Sequence, residues 1–160
     1  MITKFTIGLL MSTIIALLAY KKKSLSQSGG LAAIFLGTSL YTIGHPSVYI
    51  LMIIFFITGS VLSKIHKKIS SKSQNNSDKI LKETGCRNYI QVFANGGVPL
   101  ICSLLYLIYP VDGFIIASAA AFAGTTADTW ASEIGSLSTE KPKILAKQIS
   151  SRHRTIRRRY

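Results

Sequence analysis

Asp128 and Glu133 are two of only six acidic residues in the chain, and both stand at the end of a long apolar run. The sequence there reads Ala123-Gly124-Thr125-Thr126-Ala127-Asp128-Thr129-Trp130-Ala131-Ser132-Glu133-Ile134-Gly135. On a helix turning about 100° per residue, Thr125, Asp128, Thr129, Ser132 and Glu133 share a polar arc roughly 140° wide, with the carboxylates at its edges. Carboxylates flanked by hydroxyls suit a hard cation such as Mg2+, or a phosphate–metal group, where lipid meets water. The plainer reading is a polar helix end capped by Asp128. The cost of ionisable groups on a membrane helix favours function.

A second constellation spans Glu83-Thr84-Gly85-Cys86-Arg87-Asn88-Tyr89-Ile90-Gln91-Val92-Phe93-Ala94-Asn95-Gly96-Gly97. Read as a helix, it gathers Arg87, Asn88, Gln91 and Asn95 into an arc of about 100°. Gly96-Gly97 is expected to end that helix, and Pro99 to prevent its continuation. A guanidinium fits phosphate through its fork, and Asn or Gln holds a phosphate oxygen or a base edge. A wet amphipathic surface helix accounts for the same pattern. A cation site beside such donors is what phosphoryl transfer requires. No P-loop is present, and His45, His66 and His153 lack zinc spacing. Cys86 and Cys102 read as packing residues, with no disulfide framework.

The elements that must position these groups are membrane segments. The chain has 160 residues, 48% of them hydrophobic, and a mean hydropathy of +0.36. Five apolar blocks can be drawn, at about 5–20, 31–43, 48–63, 98–109 and 111–127, forming an all-α polytopic membrane domain over 1–147. The charge of +13, from 19 Lys and Arg against 6 Asp and Glu, would suggest nucleic acid in a soluble protein. Here the basic residues cluster between apolar blocks, so no nucleic acid is expected. They read as topology signals and contacts for anionic lipid headgroups. Lys21–Lys23, the loop 64–97 and the C-terminal region are basic, and the intervening turns are poor in charge. The positive-inside rule places these basic regions and the C-terminus in the cytoplasm and the N-terminus outside, in the plasma membrane if the source is prokaryotic. Block one reads as an uncleaved helix, since its strong charge follows the apolar run. Residues 70–78 read as a flexible linker. Lys64, at the end of block three, stays open as a phosphate contact.

The motifs Gly85-x-Arg87-Asn88-x-x-Gln91-Val92-x-x-Asn95-Gly96 and Ala127-Asp128-Thr129-Trp130-Ala131-Ser132-Glu133-Ile134-Gly135 resemble those of the integral membrane family called domain of unknown function 92. That family includes transmembrane protein 19 and the plant phytyl-phosphate kinase. Ser28-Gly29-Gly30-Leu31-Ala32-Ala33 and residues 55–64 are also similar, so the resemblance covers roughly residues 1 to 147. It implies a membrane enzyme that phosphorylates an isoprenoid monophosphate from a nucleoside triphosphate, CTP or ATP. For that activity, residue chemistry assigns Asp128 and Glu133 as catalytic Mg2+ ligands. It assigns Arg87, Asn88, Gln91, Asn95 and Lys64 to phosphate and nucleotide. The chain departs from the family after Lys147, where members continue with a glycine-containing loop and a further span. Residues 148–160 read as a disordered basic tail, either truncated or out of frame, or as a polybasic lipid-binding segment. Two other functions fit the same residues: a small transporter subunit, and a non-catalytic membrane protein that binds lipid headgroups.

Overall fold

Apolar stretches too long to be satisfied except as helices become five of them: α1 (Ile2–Lys21), α2 (Gln27–Ile43), α3 (Pro46–Ser70), α4 (Tyr89–Ile108) and α5 (Gly113–Gly135). The computed structural model describes residues 1–70 and 86–135. The basic tail over 148–160, and the linker over 70–78 apart from its first residue, lie outside the described residues.

The helices do not pack in chain order. α2 packs against α1 and α4, α4 against α5, and α5 against α3, which returns to touch α2 more lightly. The result is a ring of four helices, with α1 outside it on α2. Leu36 and Leu40 of α2, Val48, Tyr49 and Phe55 of α3, and Phe122 of α5 fill its centre. The only residues that α1 buries are the small ones Gly8, Ser12, Ala16 and Ala19. Leu10, Leu17 and Leu18 stay exposed. That division is expected in lipid, where close backbone approach through small residues drives helix pairing and leucine gains little by leaving the tails.

Among the described residues, three helices are long and apolar enough to cross a membrane: α1, the Pro46–His66 part of α3, and α4. α2 has 17 residues, about 26 Å of rise at 1.5 Å per residue, a little short of a hydrocarbon core of about 30 Å. α5 is long enough, but it is diluted by Ala, Gly, Thr and its two acids. Both are held within the same bundle. The fold is an all-α, polytopic membrane protein.

α4 differs from the sequence expectation. It runs unbroken through Gly96, Gly97 and Pro99, where a helix end was expected. A membrane helix tolerates these residues because the alternative is exposed backbone in lipid. Gly96 is also where α4 meets α2: a Cβ there would lie 2.6 Å from Leu36. Pro99 has no N–H to give the Asn95 carbonyl, so the helix is loosened beside Asn95. At its other end, α4 begins at Tyr89, which leaves Arg87 and Asn88 outside the helix on which they were expected.

Candidate functional site

The end of α1, the start of α2, the end of α3, the start of α4 and the end of α5 come together at one end of the bundle, referred to here as the basic end. α1 closes there with Lys23 in the left-handed region, φ 54°. Lys23 N donates to Tyr20 O at 2.9 Å and Ser24 N to Ala19 O at 2.9 Å. This is a Schellman stop with lysine where glycine is usual. It turns the chain into Ser24-Leu25-Ser26, and Ser26 caps α2 by accepting from Gly29 N at 3.1 Å.

Arg87 is fixed to this connector by its backbone. Arg87 N donates to Ser24 O at 3.0 Å, and Ser26 N donates to Arg87 O at 3.0 Å. The pairing is parallel and one residue long. A Cβ at position 29 would collide with the Arg87 carbonyl, so only glycine fits there. Asn88 then caps α4 in a reciprocal box, its side chain accepting from Gln91 N at 3.0 Å and the Gln91 side chain accepting from Asn88 N at 3.2 Å. Both amide oxygens are thus used in the cap. The two NH2 groups are the part of each side chain left to meet a ligand.

The Arg87 side chain crosses to α3. Its guanidinium carbon lies 5.3 Å from the Phe55 ring centroid and 6.0 Å from that of Phe56, a cation–π arrangement. The guanidinium rests against the bare face of Gly59, in space that a Cβ would take. Burial pushes its pKa below the ordinary arginine value, and the Glu133 carboxylate pulls the other way. Arginine remains cationic through this. Among the described residues, no carboxylate is within ion-pair distance of the guanidinium, so its donor fork is available.

Glu133 is the acid that closes the α3–α5 contact. Ser63 Oγ donates to Glu133 Oε1, and His66 Nδ1 lies 3.3 Å from Glu133 Oε2. Asp128 is exposed and has no hydrogen bond or ion pair to a described residue. The hydroxyl of Thr125 turns back to the Ala121 carbonyl at 3.1 Å and that of Thr126 to Phe122 at 2.6 Å, so the arc is less open than its composition suggests. No three His, Cys, Asp or Glu side chains gather as a metal cage among the described residues. Five positions along a helix separate Asp128 and Glu133 by roughly 140° and about 7.5 Å of rise. The two carboxylates therefore fit Mg2+ only in the way Mg2+ is usually held beside phosphates, with one or two protein oxygens and the rest from the ligand and water. Lys64 stands exposed on α3 without a described partner.

A cavity of about 70 Å3 reaches from Arg87 toward the centre of the ring, with Ser12, Ile15 and Ala16 of α1 contributing part of its wall. Arg87 and Asn95 are among its few polar lining residues, and Leu36, Met52, Phe55, Phe56 and Val92 form much of the rest. No described side chain hydrogen-bonds Asn95. A cation and an amide therefore meet an apolar hollow.

Arg87 and Glu133 do come together at the basic end, Asn95 joins Arg87 at the cavity, and Asn88 and Gln91 sit at the α4 cap beside them. Sequence reasoning missed the α3 side of the site: Gly59, Ser63 and His66, with His66 set aside for its lack of zinc spacing. The available signal was their spacing, four and then three residues, which puts them on one helical face together with Phe55.

The profile of the family described as integral membrane protein DUF92 matches residues 10–151. The plant Protein PGR of Arabidopsis thaliana is 30% identical over 155 residues, covering 86% of this chain and 51% of its own length. The uncharacterized membrane protein MJ0933 of Methanocaldococcus jannaschii is 30% identical over 141 residues, covering 87% of this chain and 55% of its own. The chain thus spans about half the length of these relatives. No solved structure matches it.

Proposed function

This chain belongs to the DUF92 family of integral membrane proteins, and from that premise we propose that it takes part in phosphoryl transfer to an isoprenoid monophosphate from CTP or ATP. The observation that carries this reading is Arg87: a half-buried guanidinium, held by backbone and aromatic rings, with its fork open beside Asn95 and an apolar cavity. A cation fixed at the mouth of an apolar hollow suits a lipid phosphate better than it suits packing.

In the proposed reaction, an oxygen of the lipid monophosphate attacks the γ-phosphorus of the nucleotide. The bond from that phosphorus to the β–γ bridging oxygen breaks, and the nucleoside diphosphate leaves with the electron pair. Arg87 and Asn95 hold the acceptor phosphate. The NH2 groups of Asn88 and Gln91, and Lys64, are the donors within reach of the nucleotide phosphates at the same end. Mg2+, when bound, neutralises charge on the phosphate oxygens. Asp128 is the carboxylate free to hold it, and Glu133 keeps α3 and α5 in register while its charge faces Arg87. The positive-inside pattern supports a cytoplasmic position for this end, where nucleotide is available.

The test uses the protein in phosphatidylcholine proteoliposomes with Mg2+, CTP or ATP labelled at the γ-phosphate, and phytyl monophosphate. Label in phytyl diphosphate that depends on Mg2+ and disappears in Arg87→Gln is the expected result. Nucleotide-independent solute flux, or transfer that survives in Arg87→Gln, would overturn the proposal.

A further inference from the structure

The cavity behind Arg87 is small, and its size bears on which part of a lipid the site can read. At about 70 Å3 it is well under the roughly 150 Å3 that accommodates a benzene ring in a protein core. A long hydrocarbon chain does not fit, and neither do two chains. A few carbons do. Its wall combines a fixed cation and an unpartnered amide, Arg87 and Asn95, with Met52, Phe56 and Val92. The chemistry complementary to that wall is an anionic head with a short apolar segment directly behind it. Outside the ring, the bundle presents leucine and isoleucine surface, where the remainder of a chain stays in lipid at no cost.

We propose that this cavity binds the carbons next to the phosphate of a single-chain lipid monophosphate, and that the site therefore selects the head and its first carbons while ignoring total chain length. The proposal rests on the reading of Arg87 as a phosphate ligand and adds to it a specificity-determining subsite. Selection by the cavity acts on the branching and bulk nearest the phosphate. Chain length beyond that point sets only how the lipid partitions into the bilayer.

The experiment is equilibrium binding to the full chain in phosphatidylcholine nanodiscs, with three probes: inorganic phosphate, geranyl monophosphate and phytyl monophosphate. At equal mole fraction in the membrane, the two prenyl phosphates should bind within about threefold of one another, and both more tightly than inorganic phosphate. Filling the cavity from Ala33, another of its lining residues, with Ala33→Leu, or independently with Met52→Phe, should weaken both prenyl phosphates by about tenfold and leave inorganic phosphate unchanged. Retained inorganic phosphate binding and a native helical circular dichroism spectrum show that each variant is folded. Prenyl binding that ignores both filled variants, or that strengthens steadily with chain length, overturns the subsite and leaves the Arg87 reading standing. Binding of all three probes that is indifferent to Arg87→Gln overturns both.

Discussion

Two turns of α5 carry the same functional group and use it in opposite ways. At the last turn, Glu133 is half-buried, accepts from Ser63, lies against His66 and acts on Arg87 through its field. Just over a turn earlier, Asp128 is exposed and makes no hydrogen bond or ion pair with a described residue. A carboxylate with its lone pairs occupied by the protein organises neighbours. One left open on a membrane helix has no structural return for its desolvation cost. The difference teaches that burial and partnership, more than residue type, divide a pair of acids into a positioning group and a ligand-facing group.

The sharpest way to break this contrast is Asp128→Asn. It should lower Mg2+-dependent phosphoryl transfer by at least about 100-fold. Thermal unfolding in detergent should move by no more than about 0.5 kcal/mol, as for an exposed substitution. Full activity would remove Asp128 from the mechanism. Glu133→Gln should show the reverse balance, with a stability loss of about 1–3 kcal/mol from the broken contacts at Ser63 and His66 and an activity loss nearer tenfold. A purely catalytic loss at unchanged stability would exchange the roles assigned to the two acids. Gly59→Ala probes the seat of Arg87 without altering any charge. It should weaken phosphate binding several-fold, while helix propensity rises by up to about 1 kcal/mol. Unchanged binding would show that the guanidinium is not held by that close approach. The smallest effect is expected from Lys23→Gly at the α1 stop, a gain of about 1 kcal/mol in unfolding free energy with activity unchanged. It checks that the connector is a scaffold for the site and not part of it.

Much of this is legible in the sequence. Apolar block length marks out five helices in the right order, because lipid allows long apolar segments little else. Charge clusters and acids at matching ends of the blocks point to one shared polar end. The boundaries of α4 were not readable. Gly96-Gly97 and Pro99 stop helices in water, but in lipid the backbone has no better option, and Gly96 serves the approach of Leu36. Arg87 was assigned to a helical stripe because its spacing to Gln91 and Asn95 permits one. Nothing local in the sequence announces that its backbone pairs with Leu25. That contact joins segments far apart in the chain. Residues such as Gly59, whose role is to leave space, are equally silent until the side chain that fills the space is seen.

The pairing between Leu25 and Arg87 also bears on how the protein is made. Ser26 and Arg87, which bond across it, are 61 positions apart, so the first hairpin, α1 with α2, leaves the ribosome with a polar notch at Ser24, Ser26 and Gly29 and nothing yet to fill it. α3 must be synthesised and the chain brought back before Arg87 can reach that notch. The start of the fourth helix is then tied to a connector laid down early in translation. Insertion defects in this protein should accordingly trace to substitutions around Gly29 as readily as to changes in the late helices themselves.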